Sequence, residues 1–188
     1  MQRQMMTSLP APEQLWVRAG SQLDNEAIAD IYNEYVDDGP FTMEASHWTA
    51  LSVKRDIEQS TDGEGFLVCE DENGRVLGWG KVKRYSARAG YAIACEISVY
   101  VSRDARGRGV GDTLMKSMLR LAKRFGYHHV VSKIISANQP SVRFHLKHGF
   151  DLVGVQREVG VVDGQLADVT LMQHLLSQNS HQELQLAS

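Results

Sequence analysis

The 188-residue chain holds only two cysteines and four prolines, and no apolar run approaches the roughly 20 residues that cross a bilayer. Cys69 and Cys95 lack any Cys-x-x-Cys spacing. That excludes a sequence-readable zinc site or dithiol motif and reads as two packed thiols, so no metal is expected. A basic excess is missing as well. Lys and Arg number 20 against 23 Asp and Glu, a net charge of −3, and no stripe interleaves aromatic with basic residues. A dedicated nucleic-acid binder carries the opposite balance, so neither nucleic acid nor membrane is an expected partner. The opening MQRQMMTSLPAPEQ has no apolar segment of the secretory kind, and a cytoplasmic location is expected. Internal repeats and long linkers are absent. What remains is a globular composition, 43% hydrophobic and 23% charged. The polar ends, 1–12 and 177–188, read as flexible tails around one domain over 13–176.

Apolar periodicity divides that domain. Leu15 to Ala19 reads as a short strand. Ser21 and Asp24 open a helix with Leu23, Ala27, Ile28, Ile31, Tyr32 and Tyr35 on one stripe, and Asp37-Asp38-Gly39-Pro40 ends it. A second helix is predicted over Thr49 to Gln59. Phe66–Glu70 and Arg75–Lys83 form a hairpin about Asn73-Gly74. Residues 84–90 form a loop, and Tyr91 to Val101 is the longest strand-like run. Val110, Leu114, Met118, Leu121, Ala122 and Phe125 then mark a strong helix closed by Gly126. A strand over His129–Ile135, a short helix over Asn138–His148 and two strands, Phe150–Val162 and Leu166–Leu175, complete the chain. The order β-α-α-β-β-β-α-β-α-β-β predicts an α/β (α+β) fold, with a mixed sheet of six or seven strands and about four helices.

Between the longest strand and the strongest helix stands Arg106-Gly107-Arg108-Gly109-Val110-Gly111. Unpartnered amides at a helix start, flanking glycines and two arginines suit a phosphate or pyrophosphate. A P-loop would need Gly-Lys-Ser/Thr, but Asp112-Thr113 follows Gly111. A dinucleotide fingerprint would need a third glycine where Asp112 stands. The remaining pattern, Arg106-x-x-Gly109-x-Gly111, resembles the pyrophosphate loop of the GCN5-related N-acetyltransferases (GNAT). The element order is similar to that fold from Trp16 to about Leu175. The resemblance implies acetyl-CoA as cosubstrate. It would be held by residues 106–111, by the strand at Val99, Tyr100 and Val101, and by Asn138 and Ser141 at a later helix start.

Glu96-Ile97-Ser98-Val99-Tyr100-Val101, Asn138-Gln139-Pro140-Ser141-Val142-Arg143-Phe144-His145, Gly149-Phe150 and Arg157-Glu158-Val159-Gly160 resemble the phosphinothricin and methionine sulfoximine acetyltransferase subfamily. Glu96 is the only charge between Ala92 and Val101. Strand alternation sets it on one face with Ser98 and Tyr100, and sets Cys95, Ile97, Val99 and Val101 on the other. The resemblance implies that Glu96 is the base for an acceptor amine in a ternary complex, with backbone amides near Val99 facing the thioester oxygen. It sets His145 on the thiol side of the reaction; a packing histidine is the plain alternative. Arg88 and Tyr91 precede Glu96 by the spacing of the subfamily's acceptor residues, so Arg88 is the expected carboxylate grip, although nearby lysines and Arg84 offer the same charge. Phe41, in Phe41-Thr42-Met43-Glu44, falls where the subfamily has an acceptor-contacting aromatic.

The methionine between Thr42 and Glu44, and the altered stretch about Ser86 to Gly90, depart from the herbicide-resistance enzymes. The expected acceptor is therefore a small amino-acid-like amine, of which phosphinothricin, methionine sulfoximine and methionine sulfone are examples. A homodimer is implied by the resemblance. The alternatives are acetylation of a protein or peptide amine, or a coenzyme-A-binding module without turnover.

Overall fold

Seven strands make one sheet in the order β1-β2-β3-β4-β5-β7-β6. The computed structural model describes residues 14–177. The expected tails therefore lie outside the described residues, apart from Ser177. The strands are β1 (Trp16–Ala19), β2 (Gly65–Glu70), β3 (Val76–Arg84), β4 (Ala94–Val101), β5 (His129–Ile135), β6 (Asp151–Val162) and β7 (Gln165–Leu175). The helices are α1 (Asn25–Asp37), α2 (Ala50–Glu58), α3 (Val110–Arg124) and α4 (Gln139–Lys147). Among the described residues the six or seven expected strands are seven, the α-helices are four, and the element order stands as predicted.

The helix starts follow from local chemistry. Ser21 accepts from the Leu23 amide and Asp24 reaches back to the Ser21 amide, which turns the chain into α1. Thr49 and Ser52 cap α2 reciprocally. Asn138 Oδ1 accepts from the Ser141 amide at 3.1 Å, with Pro140 in the first turn of α4.

Each face of the sheet is covered. α1 and α2 press Ile28, Ile31, Tyr32 and Val53 onto Phe66, Val68 and Trp79. On the opposite face α3 packs Met115, Met118 and Ala122 over Cys95, Ile97, Val130 and Met172. α3 can lie this close because Gly80 has no side chain; a Cβ there would stand 2.9 Å from Met118 Sδ.

Two irregularities matter for function. Residues 91–93 are not strand. Tyr91 ends a single 3₁₀ turn (Ala89–Tyr91), in which the Ala92 amide bonds Ala89 O, and β4 begins only at Ala94. The second irregularity lies between β4 and β5. They pair in parallel only where Ala94–Glu96 face His129–Val131, and no ladder joins them beyond that point. Ser132 Oγ, donating to Ile97 O at 3.2 Å, is the last link across before the strands part.

Candidate active site

A cleft of about 1400 Å³ opens where β4 and β5 separate. Its geometry follows from an unbroken register between β3 and β4, running from Gly78 opposite Val101 to Arg84 opposite Cys95. No bulge interrupts it, so the alternation read from the sequence holds: Cys95 and Ile97 go under α3, while Glu96, Ser98 and Tyr100 face α1 and α2. The Ser102 amide bonds Leu77 O and the Tyr85 amide bonds Ala94 O. The intervening ladder therefore turns the backbone N–H and C=O of Ile97, Val99 and Val101 away from β3, toward the gap.

On the α3 side the gap leads to the glycine loop. Gly107 and Gly109 sit at φ +80° and +85°, with nothing within 4 Å of where a Cβ would be. That is left-handed backbone beside open space. Gly109 is the N-cap of α3, so the first-turn amides of a 15-residue helix face outward there. This donor set, the backbone of Val99 turned into the gap and followed by the first-turn amides of α3, fits an amide-bearing chain that ends in a pyrophosphate. Asn138, Ser141 and buried His145 line the far wall. His145 Nδ1 lies 2.8 Å from Ser141 O. A carbonyl only accepts, so the proton resides on Nδ1 and Nε2 carries the lone pair. Burial lowers the His145 pKa, which keeps the ring neutral at pH 7.

On the α1 side the cleft has an aromatic floor. Tyr32 stacks on Trp48 at 3.9 Å and Trp79 on Tyr100 at 4.5 Å. The 41–44 segment closes over it; Met43 Sδ lies so near β6 that a Cβ on Gly160 would stand 2.9 Å from it. Glu96 lies at the apex, its side chain only 11% exposed, between Lys83 (3.2 Å) and Lys133 (2.8 Å). Cys95, its neighbour, is fully buried on the other face. Burial and the Glu96 charge push its thiol up to about 12, so it stays protonated and is no nucleophile.

Residues 17–171 match the sequence pattern of the acetyltransferase (GNAT) domain family. The chain belongs to the GNAT acetyltransferases. Among its relatives is a phosphinothricin N-acetyltransferase of Streptomyces coelicolor, 32% identical over 86% of this chain and 96% of its own. An L-methionine sulfoximine/L-methionine sulfone acetyltransferase of Salmonella typhimurium is 31% identical over 87% and 96%. In structure, the phosphinothricin acetyltransferase of Sinorhizobium meliloti in complex with AcCoA superposes with a TM-score of 0.83. It is 26% identical, over 90% of this chain and 92% of that one.

Within this GNAT domain most residues singled out in the sequence come together. Phe41, Glu96, Val99, Tyr100, Val101, Arg106, Gly107, Gly109, Gly111, Asn138, Ser141 and His145 all line the cleft. Their parts differ. Tyr100 turns its backbone to β3 and gives only its ring, to the aromatic floor. Val101 uses both backbone groups on the Tyr35 hydroxyl, which accepts from its N–H at 3.0 Å and donates to its C=O at 2.9 Å. Arg106 extends over the Tyr35 ring to Asp38, 3.2 Å away. Val110 is buried under β3 as core, and Arg108 donates to Asp104 O. Arg88 and Tyr91 lie on the exposed 84–93 segment and do not line the cleft of the single chain; Tyr91 packs on Tyr85. Lys83, Lys133, Trp48 and Trp79 line it without having been singled out.

Proposed function

We propose that this chain transfers acetyl from acetyl-CoA to the amine of a small amino-acid-like acceptor of the methionine sulfoximine, methionine sulfone or phosphinothricin type. The observation that carries this reading is Glu96, the carboxylate at the apex of the β4/β5 gap, with the glycine loop on one side and the aromatic floor on the other. Bound acetyl-CoA supplies the acetyl group as a thioester. The loop amides and Val99 would hold it, with Asn138 and Ser141 at the far wall. Glu96 takes the proton from the acceptor ammonium, so that a neutral amine attacks. The Val99 N–H, turned into the gap, donates to the carbonyl oxygen as charge develops on it. The C–S bond breaks as the tetrahedral intermediate collapses, coenzyme A leaves as the thiolate, and the proton shed by the attacking nitrogen neutralises that thiolate. His145, neutral with Nδ1–H on Ser141 O, lines the wall on the thiol side, and its Nε2 is the acceptor that can pass this proton on. Direct attack needs no enzyme nucleophile, in keeping with the protonated Cys95.

Thiol release from acetyl-CoA, with L-methionine sulfone as acceptor, tests this. Glu96→Gln is expected to lower kcat by about 10²–10⁴ while acetyl-CoA still binds. Unchanged turnover in that variant would remove Glu96 as the base. Intact acetyl-CoA binding without transfer to any amine would favour the binding-module alternative.

A homodimer is part of the same reading. The outer strand β6 and its hairpin expose Leu152, Val153, Val155, Val161 and Leu166, each 48–64% accessible, beside a sheet edge that no strand among the described residues pairs. An apolar row on a free edge is a surface for another copy.

A further inference from the structure

Two ammonium groups hold one carboxylate at the apex of the cleft. Lys83 stands directly opposite Glu96 on β3. Lys133 is two residues beyond Val131, the residue paired with Glu96 on β5, and so shares its face. Both lysine side chains are 46% exposed, against 11% for Glu96. The cations therefore stand on the solvent side of the carboxylate, where an acceptor enters. Lys81, further along the same face, is already paired with Asp56. Around Glu96 alone there is one more positive than negative charge.

That excess repels a simple amine, which arrives as an ammonium and must reach Glu96. It attracts an amine that carries its own anion. An α-amino acid brings an ammonium and a carboxylate on one carbon. Its ammonium can replace a lysine at Glu96 while its carboxylate receives the lysine so released. Each charge keeps an opposite partner throughout, which matters in a cleft where an unpaired charge is costly. We propose that Lys83 and Lys133 form the subsite that receives the acceptor's carboxylate. This rests on the reading of Glu96 as the acceptor-side base.

The test compares L-methionine sulfone with its carboxamide, which keeps the amine and loses the anion, at saturating acetyl-CoA. The wild-type enzyme is expected to prefer the acid by about ten- to a hundredfold in kcat/KM, the range for a hydrogen bond to a charged group. Lys83→Met and Lys133→Met are each expected to shrink that preference through the KM of the acid. Lys133→Arg should restore part of it, and acetyl-CoA binding, measured separately, reports an intact fold. A preference that survives in both Met variants, or one that Arg88→Ala alone removes, overturns the proposal. Trp48 and Trp79 line the cleft, so their fluorescence reports acceptor binding without turnover. If no amine is acetylated, the transfer reading fails by itself. Binding of the acid over the amide, weakened in the Met variants, would still support the subsite. Equal binding by wild type and variants, or no binding of the acid, would overturn it.

Discussion

His145 is buried with Nδ1–H on a carbonyl, and burial lowers its pKa from 6.5. The unfolded chain takes up that proton near pH 6.5, before the folded chain does. The stabilisation is therefore complete above pH 6.5 and is lost as pH falls from there toward the folded value. Urea denaturation at pH 7.5 and pH 5 should show wild type losing more stability than His145→Gln. Each pKa unit of depression corresponds to about 1.4 kcal/mol. Asp24 behaves alike at lower pH. The Arg18 guanidinium and the Ser21 amide hold its carboxyl below 3.8. Its contribution is present above about pH 4 and vanishes as pH drops through the folded value. Asp24→Asn should cost about 2 kcal/mol, the scale of a charged hydrogen bond. Glu96 was legible because it is a lone charge in an apolar strand. Lys133, in Val130-Val131-Ser132-Lys133-Ile134-Ile135, gives the same signal. What the sequence could not show is that the two meet, since they are brought together by a parallel pairing across α3.

The elements repeat this pattern of legibility. β5 lies at its predicted bounds and α3 within a residue of them, because a continuous apolar run between polar ends marks the strand, and apolar spacing between Gly109 and Gly126 marks the helix. The 84–93 segment does not, because a single 3₁₀ turn depends on backbone bonds that alternation does not encode. That turn leaves Arg88 and Tyr91 outside the cleft despite their spacing from Glu96. The glycine loop gives a sharper expectation. An alanine at Gly109 would have to hold φ +85°, at about 1–2 kcal/mol. Gly109→Ala should therefore raise the KM for acetyl-CoA more than it lowers kcat, as read by initial rates. Asn138→Ala removes the α4 cap and should lower stability by about 1 kcal/mol, as seen in a denaturant midpoint.

For the molecule as a whole, apolar β6 residues predict assembly. Light scattering behind a sizing column should give twice the chain mass, and Val161→Glu with Leu166→Glu should return it to one chain. The other whole-molecule feature is the seam in the sheet. Strands β1–β4 and β5–β7 are laddered to one another through only three residue positions per strand, Ala94–Glu96 and His129–Val131. Beyond these the lips of the seam are missing a rung. Whatever lies between them supplies it, so filling the gap extends the folded state as well as occupying a site. Deuterium uptake should slow on both lips together, at Ile97–Val101 and at Ser132–Ile135. The melting temperature should climb with the logarithm of ligand concentration. In mechanical terms, bound cosubstrate would be a splint laid across that seam.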